Sequence, residues 1–308
     1  TWLTAPWWVA ENYFYKRMLE LTDPVTGCAD PFAKQKADSL AGAAGAFAKM
    51  LSEGLTETSE LAPLIATSLW GNLADLSVSA GAVLVAPEDA SSGSGMGSTM
   101  ILADDTQALC KELHQCRGRD IILVLDNCGL ECVSDFLLVD GLLRIVEPSR
   151  VVLHLKDRPV FVSDVTVPDV QPTLDWMAAN GGEALSARLS AAISDGHLVL
   201  EEHDFYTSAL PFWDAPNDLV DAIRDTSLVI TKGDANYRRL LDDRHWAHDT
   251  NFSELMGYWP TAIAALRTCK SGVLVGTCRD AEEAAAAAHP DTWLTGGLYG
   301  VVSLHPKV

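Results

Sequence analysis

Apolar residues fall along this chain in two regimes, and the change comes near residue 115. Before it they recur at helical spacing, most clearly over residues 11–21, over 31–51 with an alanine-rich face, and over 61–76. From Asp120 onward short apolar runs alternate with helical patterns, which predicts a largely parallel sheet with helices on both faces. The expected architecture is α/β: a helical N-terminal region, 1–115, packed on a doubly wound sheet domain, 116–308. Residues 183–194 and 216–224 have the pattern of crossover helices.

The run Ile121-Ile122-Leu123-Val124-Leu125 suits a central parallel strand covered on both faces, and it stops abruptly at Asp126 and Asn127. Leu130, Val133, Leu137, Leu138 and Leu142 then recur on one helical face, and Gly129 leaves room for a ligand near the first turn. Open α/β sheets bind ligands at that strand end. About forty residues on, Pro159-Val160-Phe161-Val162-Ser163-Asp164 repeats the arrangement, an apolar strand ending in an acid. Turn formation or helix capping explains one isolated Asp-Asn pair. Here a second strand-terminal acid accompanies it, and Glu131 stands four residues after Asn127, where a capping box would need three. Asp126, Asn127 and Asp164 are therefore candidate hard-oxygen ligands for a divalent cation, with positions left for water and substrate.

Two further motifs carry positive charge. After the strand pattern Ser227-Leu228-Val229-Ile230 comes Thr231-Lys232-Gly233-Asp234-Ala235-Asn236-Tyr237-Arg238-Arg239, in which Gly233 permits a tight turn, Asp234 can cap the next helix and Arg238 offers a planar fork for phosphate or carboxylate. Leu266-Arg267-Thr268-Cys269-Lys270 precedes what reads as a short strand over 272–276.

In these four stretches the sequence resembles the DUF89 metal-dependent damage-control phosphatases, in the subfamily marked by an Arg-Thr-x-Lys motif. The matching segments, all in family order, are Asp126 to Glu131, Phe161 to Asp164, Lys232 to Arg238 and Arg267 to Lys270. Ala5-Pro6-Trp7-Trp8, the stretch from Leu69 to Ser77 and the closing Tyr299-Gly300 extend the resemblance over essentially the whole chain. It implies that Asp126, Asn127 and Asp164 bind metal, that Glu131 and the segment Asp234, Ala235, Asn236, Tyr237 and Arg238 contact substrate, and that Lys270, with Arg267, holds the phosphate. Family members often carry residues before the Ala-Pro-Trp-Trp segment, and this chain opens at Thr1 without an initiator methionine, so a preceding piece is expected.

Forty-two acids against 22 bases give a formal net charge of −20, which argues against general nucleic-acid or anionic-membrane binding. An anionic substrate must then be held by local cations, and Lys232, Arg238, Arg239, Arg267 and Lys270 cluster where the motifs are. The 7 cysteines form neither a disulfide framework nor a zinc site by spacing, so reduced thiols and a cytoplasmic setting, with the nucleus also open, are expected. No apolar run reaches the roughly 20 residues of a membrane span. The Ser/Gly-rich stretch 90–98 reads as a flexible loop and lacks the Gly-Lys-Ser/Thr of a phosphate-binding loop.

The expected function is metal-assisted attack of water on small phosphorylated metabolites, sugar phosphates such as fructose phosphates foremost, with Mn2+ or Mg2+ as the cation and Co2+ or Ni2+ as further candidates. Two alternatives stand beside it. One is S-adenosylmethionine-dependent carboxyl (glutamate) methyl transfer, an activity also attributed to the family, although the strand here ends in Asp-Asn where a nucleotide loop would have Gly-x-Gly. The other is non-catalytic metabolite binding.

Overall fold

The computed structural model describes residues 4–22, 30–71 and 100–307. The Ser/Gly-rich stretch 90–98, the Asn72 to Ser77 part of the family motif and the end of the predicted 61–76 helix lie outside these residues. Among the described residues, seven strands form one sheet: β1 (Ile101–Asp104), β2 (Ile121–Val124), β3 (Val151–Lys156), β4 (Leu198–His203), β5 (Leu228–Lys232), β6 (Ala262–Thr268) and β7 (Gly300–His305), in the order β1-β7-β6-β5-β2-β3-β4. All pairings are parallel except β6 with β7.

Strand β2 is central and apolar on both sides because each side meets its own core. Ile121 and Leu123 join the cluster that includes Leu64, Leu137 and Leu189, while Ile122 and Val124 join the one that includes Phe212, Leu240 and Trp259. The period-2 geometry of a strand sorts them in this way.

Helices α1 (Trp7–Thr22), α2 (Ala33–Gly42), α3 (Ala44–Ser52) and α4 (Leu61–Trp70) account for the helical N-terminal region, with the 31–51 pattern broken at Ala43. Strand β1 lies in the stretch read as helical and pairs with β7, so the sheet draws on both parts of the chain. Helix α5 (Thr106–His114) follows it. Helix α6 (Leu130–Gly141) follows β2 and is buried almost all round, which explains why its sequence carries few polar positions. Helices α7 (Val167–Met177), α8 (Glu183–Ser194), α9 (Asn217–Arg224) and α10 (Gly233–Leu240) complete the crossovers around the site.

Two predicted strands are not strands. Residues 159–166 form a turn in which Phe161 and Val162 take φ of +50° and +68°, and Pro159 has no N–H to give a ladder; the strand lies upstream, at β3. Residues 272–276 are not in the sheet either, because β6 has already supplied that strand and Gly276 turns the chain at φ +78°.

Candidate functional site

At the carboxyl end of β2 the chain is stitched to the 159–166 turn by backbone hydrogen bonds. Cys128 N–H donates to the Ser163 carbonyl at 2.7 Å, and Val165 N–H donates to the Asp126 carbonyl at 3.0 Å. An isolated antiparallel bridge pairs Asn127 with Asp164. The two strand-end acids and the amide therefore meet in one pocket, as their placement after apolar runs predicted, although Asp164 arrives on a turn.

The pocket is about 90 Å3 and is lined by Trp7, Trp8 and Glu11 of α1, by Asp126, Asn127, Phe161 and Asp164, and by Asp234, Ala235, Arg238 and Lys270. Each element delivers its residues for a physical reason. Gly233, at φ +79°, starts α10 so close to Asp126 that a Cβ there would lie 1.8 Å from Asp126 Oδ2. Only glycine permits both the turn and the approach. Arg238 is held between the Trp7 and Trp8 rings, at 4.8 and 4.4 Å from their centroids, and its Nε donates to Asp243 at 2.6 Å. Trp8 is fixed in turn by stacking on Phe161 and by donating from Nε1 to the Ala209 carbonyl at 3.2 Å.

Lys156, the last residue of β3, is a site residue not anticipated above. Its fully buried ammonium donates to the Leu125 carbonyl at 3.1 Å and Asp126 Oδ1 at 3.2 Å, and lies 3.7 Å from Asp164 Oδ2. Trp7, Trp8 and Glu11 are further wall residues to which residue-level reading assigned no role. The signal for Lys156 was present in form, an apolar run ending in a charge.

Asp164 Oδ2 is buried and accepts no hydrogen bond. Burial, joined by repulsion from Asp126, raises the Asp164 carboxyl above the usual range, and Lys156, Arg239 and Lys36 oppose the shift. Buried carboxylates of this kind want a cation. Among the described residues no group of three or more His, Cys, Asp or Glu could hold a metal by itself. The available set is two carboxylates and an amide oxygen, which fits a hard divalent ion that keeps water and substrate oxygens as its other ligands.

Of the other expected site residues, Ala235, Arg238 and Lys270 line the pocket, while Glu131, Asn236, Tyr237 and Arg267 stand behind it, each nearly or wholly buried. Glu131 Oε2 accepts from Asn127 Nδ2 at 3.0 Å, and Asn127 Oδ1 accepts from Ser163 Oγ at 2.8 Å, so both ends of the amide are oriented by neighbours. Asn236 donates to the Lys232 carbonyl at 2.9 Å, and the Tyr237 hydroxyl accepts from Val275 N–H at 3.3 Å. Lys232 also lies away from the pocket, paired with Glu131 at 3.4 Å and Asp135 at 3.3 Å. Arg239 is wholly buried, its Nε donating to the Ser208 carbonyl at 3.0 Å, and burial lowers it to about 10. Asp234 does not cap α10; its Oδ1 accepts from Arg267 Nε at 2.7 Å. Gly129, expected to make room for a ligand, instead makes room for α2, since a Cβ there would lie 2.3 Å from Ser39 Oγ.

Compared with known proteins, residues 3–285 match the family described as damage-control phosphatase ARMT1-like domain. The chain is 32% identical to damage-control phosphatase ARMT1 of Xenopus laevis, covering 100% of this chain and 76% of that protein. It is 31% identical to that of Danio rerio, over 98% and 74%, and 29% identical to that of Homo sapiens, over 97% and 74%. The crystal structure of a DUF89 family protein from Pyrococcus horikoshii aligns with TM-score 0.52 at 20% identity, covering 88% of this chain and 80% of that one. At that identity the likeness concerns the fold.

Proposed function

Because this chain belongs to the damage-control phosphatase ARMT1-like domain family, we propose that it is a metal-dependent phosphatase of small phosphorylated metabolites, with sugar phosphates such as fructose phosphates as the substrate class. The observation that carries the proposal is the convergence of Asp126, Asn127 and Asp164 with Arg238 and Lys270 in one pocket. Acids for a cation and cations for an anion face the same space, which is what phosphoryl transfer requires.

Asp126, Asn127 and Asp164 would hold the divalent ion, Mn2+ or Mg2+ with Co2+ or Ni2+ as alternatives. Once bound, it would supply charge neutralisation at a phosphate oxygen and a lowered pKa for an adjacent water. Lys270 and Arg238 bind the remaining phosphate oxygens and fix the phosphorus for attack. Water is the nucleophile in this reading, because Asp126 Oδ1 already accepts a hydrogen bond from Lys156 at 3.2 Å and is a poor free nucleophile. The pocket volume of about 90 Å3 lies below the roughly 300–1,000 Å3 of sites that engulf a drug-sized ligand. It suits a phosphoryl group with the rest of a compact substrate at the mouth, against Trp7 and Glu11.

A phosphate-release screen over sugar phosphates, with Mg2+, Mn2+, Co2+ and Ni2+ each compared against chelator, tests this. Metal-dependent release is expected. Absence of release under every metal, together with transfer of a methyl group from S-adenosylmethionine to acidic side chains, would replace the proposal with methyl transfer.

A further inference from the structure

The Arg267-Thr268-Cys269-Lys270 motif holds two cations three residues apart, and only Lys270 reaches the pocket. Arg267 is wholly buried in β6 with its guanidinium 4.6 Å from the Tyr237 ring centroid. Every nitrogen of the fork donates inside the protein. Nε donates to Asp234 Oδ1 at 2.7 Å, Nη1 to the Val273 carbonyl, and Nη2 to the Ser271 carbonyl at 2.9 Å and Ser271 Oγ at 3.0 Å. Buried and bonded in this way, the guanidinium is turned into the protein and is not among the residues that line the pocket.

Its bonds have one geometric effect. They tie the segment just after Lys270 to Asp234 at the start of α10, and Ser271 Oγ adds a bond of its own to Asp234 Oδ1 at 3.1 Å. The residue just before Lys270 is held from the other side, where Cys269 N–H donates to the Tyr299 carbonyl at 2.7 Å and Cys269 O accepts from Gly297 N–H at 2.9 Å. Lys270 thus stands on a short segment clamped at both ends, with the Arg267 fork as one clamp.

We propose that Arg267 is a positioning residue that sets the place of the Lys270 ammonium relative to the Asp234 wall of the pocket, and that it does not touch the phosphate. The inference rests on the phosphatase reading of the pocket. A lysine at position 267 keeps the charge but cannot supply the planar multi-donor fork, so Arg267→Lys should loosen the Lys270 segment. Displacement of a catalytic group by about 1 Å costs about 100-fold.

The test is a double-mutant cycle of Arg267→Lys with Lys270→Ala, read as metal-dependent phosphate release from a sugar phosphate, with thermal melts of each variant. The expected result is a loss of about 100-fold in kcat/KM for Arg267→Lys alone and less than about 3-fold when the same change is made in the Lys270→Ala background. General structural damage would not vanish in that background. Equal losses in both backgrounds, or no loss in either, would overturn the proposal. Should Arg267→Lys not fold, Ser271→Ala removes one tie alone, and its smaller loss should likewise disappear with Lys270→Ala; a loss that persists there overturns the proposal in the same way. Undiminished turnover by Lys270→Ala, or an inactive wild-type protein, would instead overturn the phosphatase reading and this proposal with it.

Discussion

At the scale of single residues, the site depends on how closely Asp126 and Gly233 approach. A methyl group at position 233 would lie 1.8 Å from Asp126 Oδ2 and 2.8 Å from its Cβ, at a φ of +79° that L side chains rarely adopt. Gly233→Ala is therefore expected to displace Asp126 and reduce phosphate release by about 100-fold or more. Steady-state kinetics beside a melt will show it, and a variant with wild-type turnover would mean that Asp126 is not held by this contact. Lys270 makes a separate claim. If it binds a phosphate oxygen as charge develops, Lys270→Ala costs about 2–4 kcal/mol, or roughly 30- to 1000-fold in kcat/KM. Metal affinity should be unchanged, since Lys270 is not a ligand in this account, and a fall in metal affinity would contradict that division of roles.

At the scale of elements, legibility followed local chemistry. Strand β2 could be read because its unbroken apolar run has no other use, and the meeting of Asp126, Asn127 and Asp164 in one pocket could be anticipated because Asp126-Asn127 and Asp164 each follow an apolar stretch. Strand β6 could not be, since Ala262, Ala264 and Ala265 have low strand propensity, yet all three are buried in the two cores on either face of the sheet. The 159–166 segment misled because Val160, Phe161 and Val162 look like a strand, whereas Val160 and Phe161 pack beneath α1 with Trp8. Lys156 was invisible for the opposite reason: a lysine after a strand is usually solvated, and only tertiary contact shows it to be buried between two acids. The turn makes its own prediction. Val162 at φ +68° carries the strain of a β-branched residue in the left-handed region, about 1–2 kcal/mol. Val162→Gly relieves that strain while adding freedom to the unfolded chain, so stability should change by less than about 1 kcal/mol. A urea-unfolding loss well above that would show that the Val162 side chain contributes packing that outweighs the strain.

For the whole molecule, acid sensitivity has an identifiable contribution outside the pocket. His154 in β3 is buried beside the Tyr206 hydroxyl, His203 and Glu201, and burial first, then His203, lowers it from 6.5 to about 4. It is neutral in the folded protein, whereas the unfolded chain protonates it below about 6.5. Its stabilisation is therefore full above that pH and declines as pH falls toward 4, by up to about 3 kcal/mol. Unfolding curves from pH 8 to 4 should show a shallower decline for His154→Phe than for the wild type, and parallel curves would remove His154 as the cause. The net charge of −20 gives the fold no general attraction for anions, so in the proposed reaction binding of a phosphorylated substrate would fall to the few cations in the pocket and to an ion that the acids would hold. That ion is the central claim. Calorimetric titration of Mn2+ into the wild-type protein and into Asp164→Ala, each checked for folding by circular dichroism, tests it most directly. The account predicts one saturable site in the wild type that is lost in the variant, and equal Mn2+ binding by the two folded proteins would contradict it.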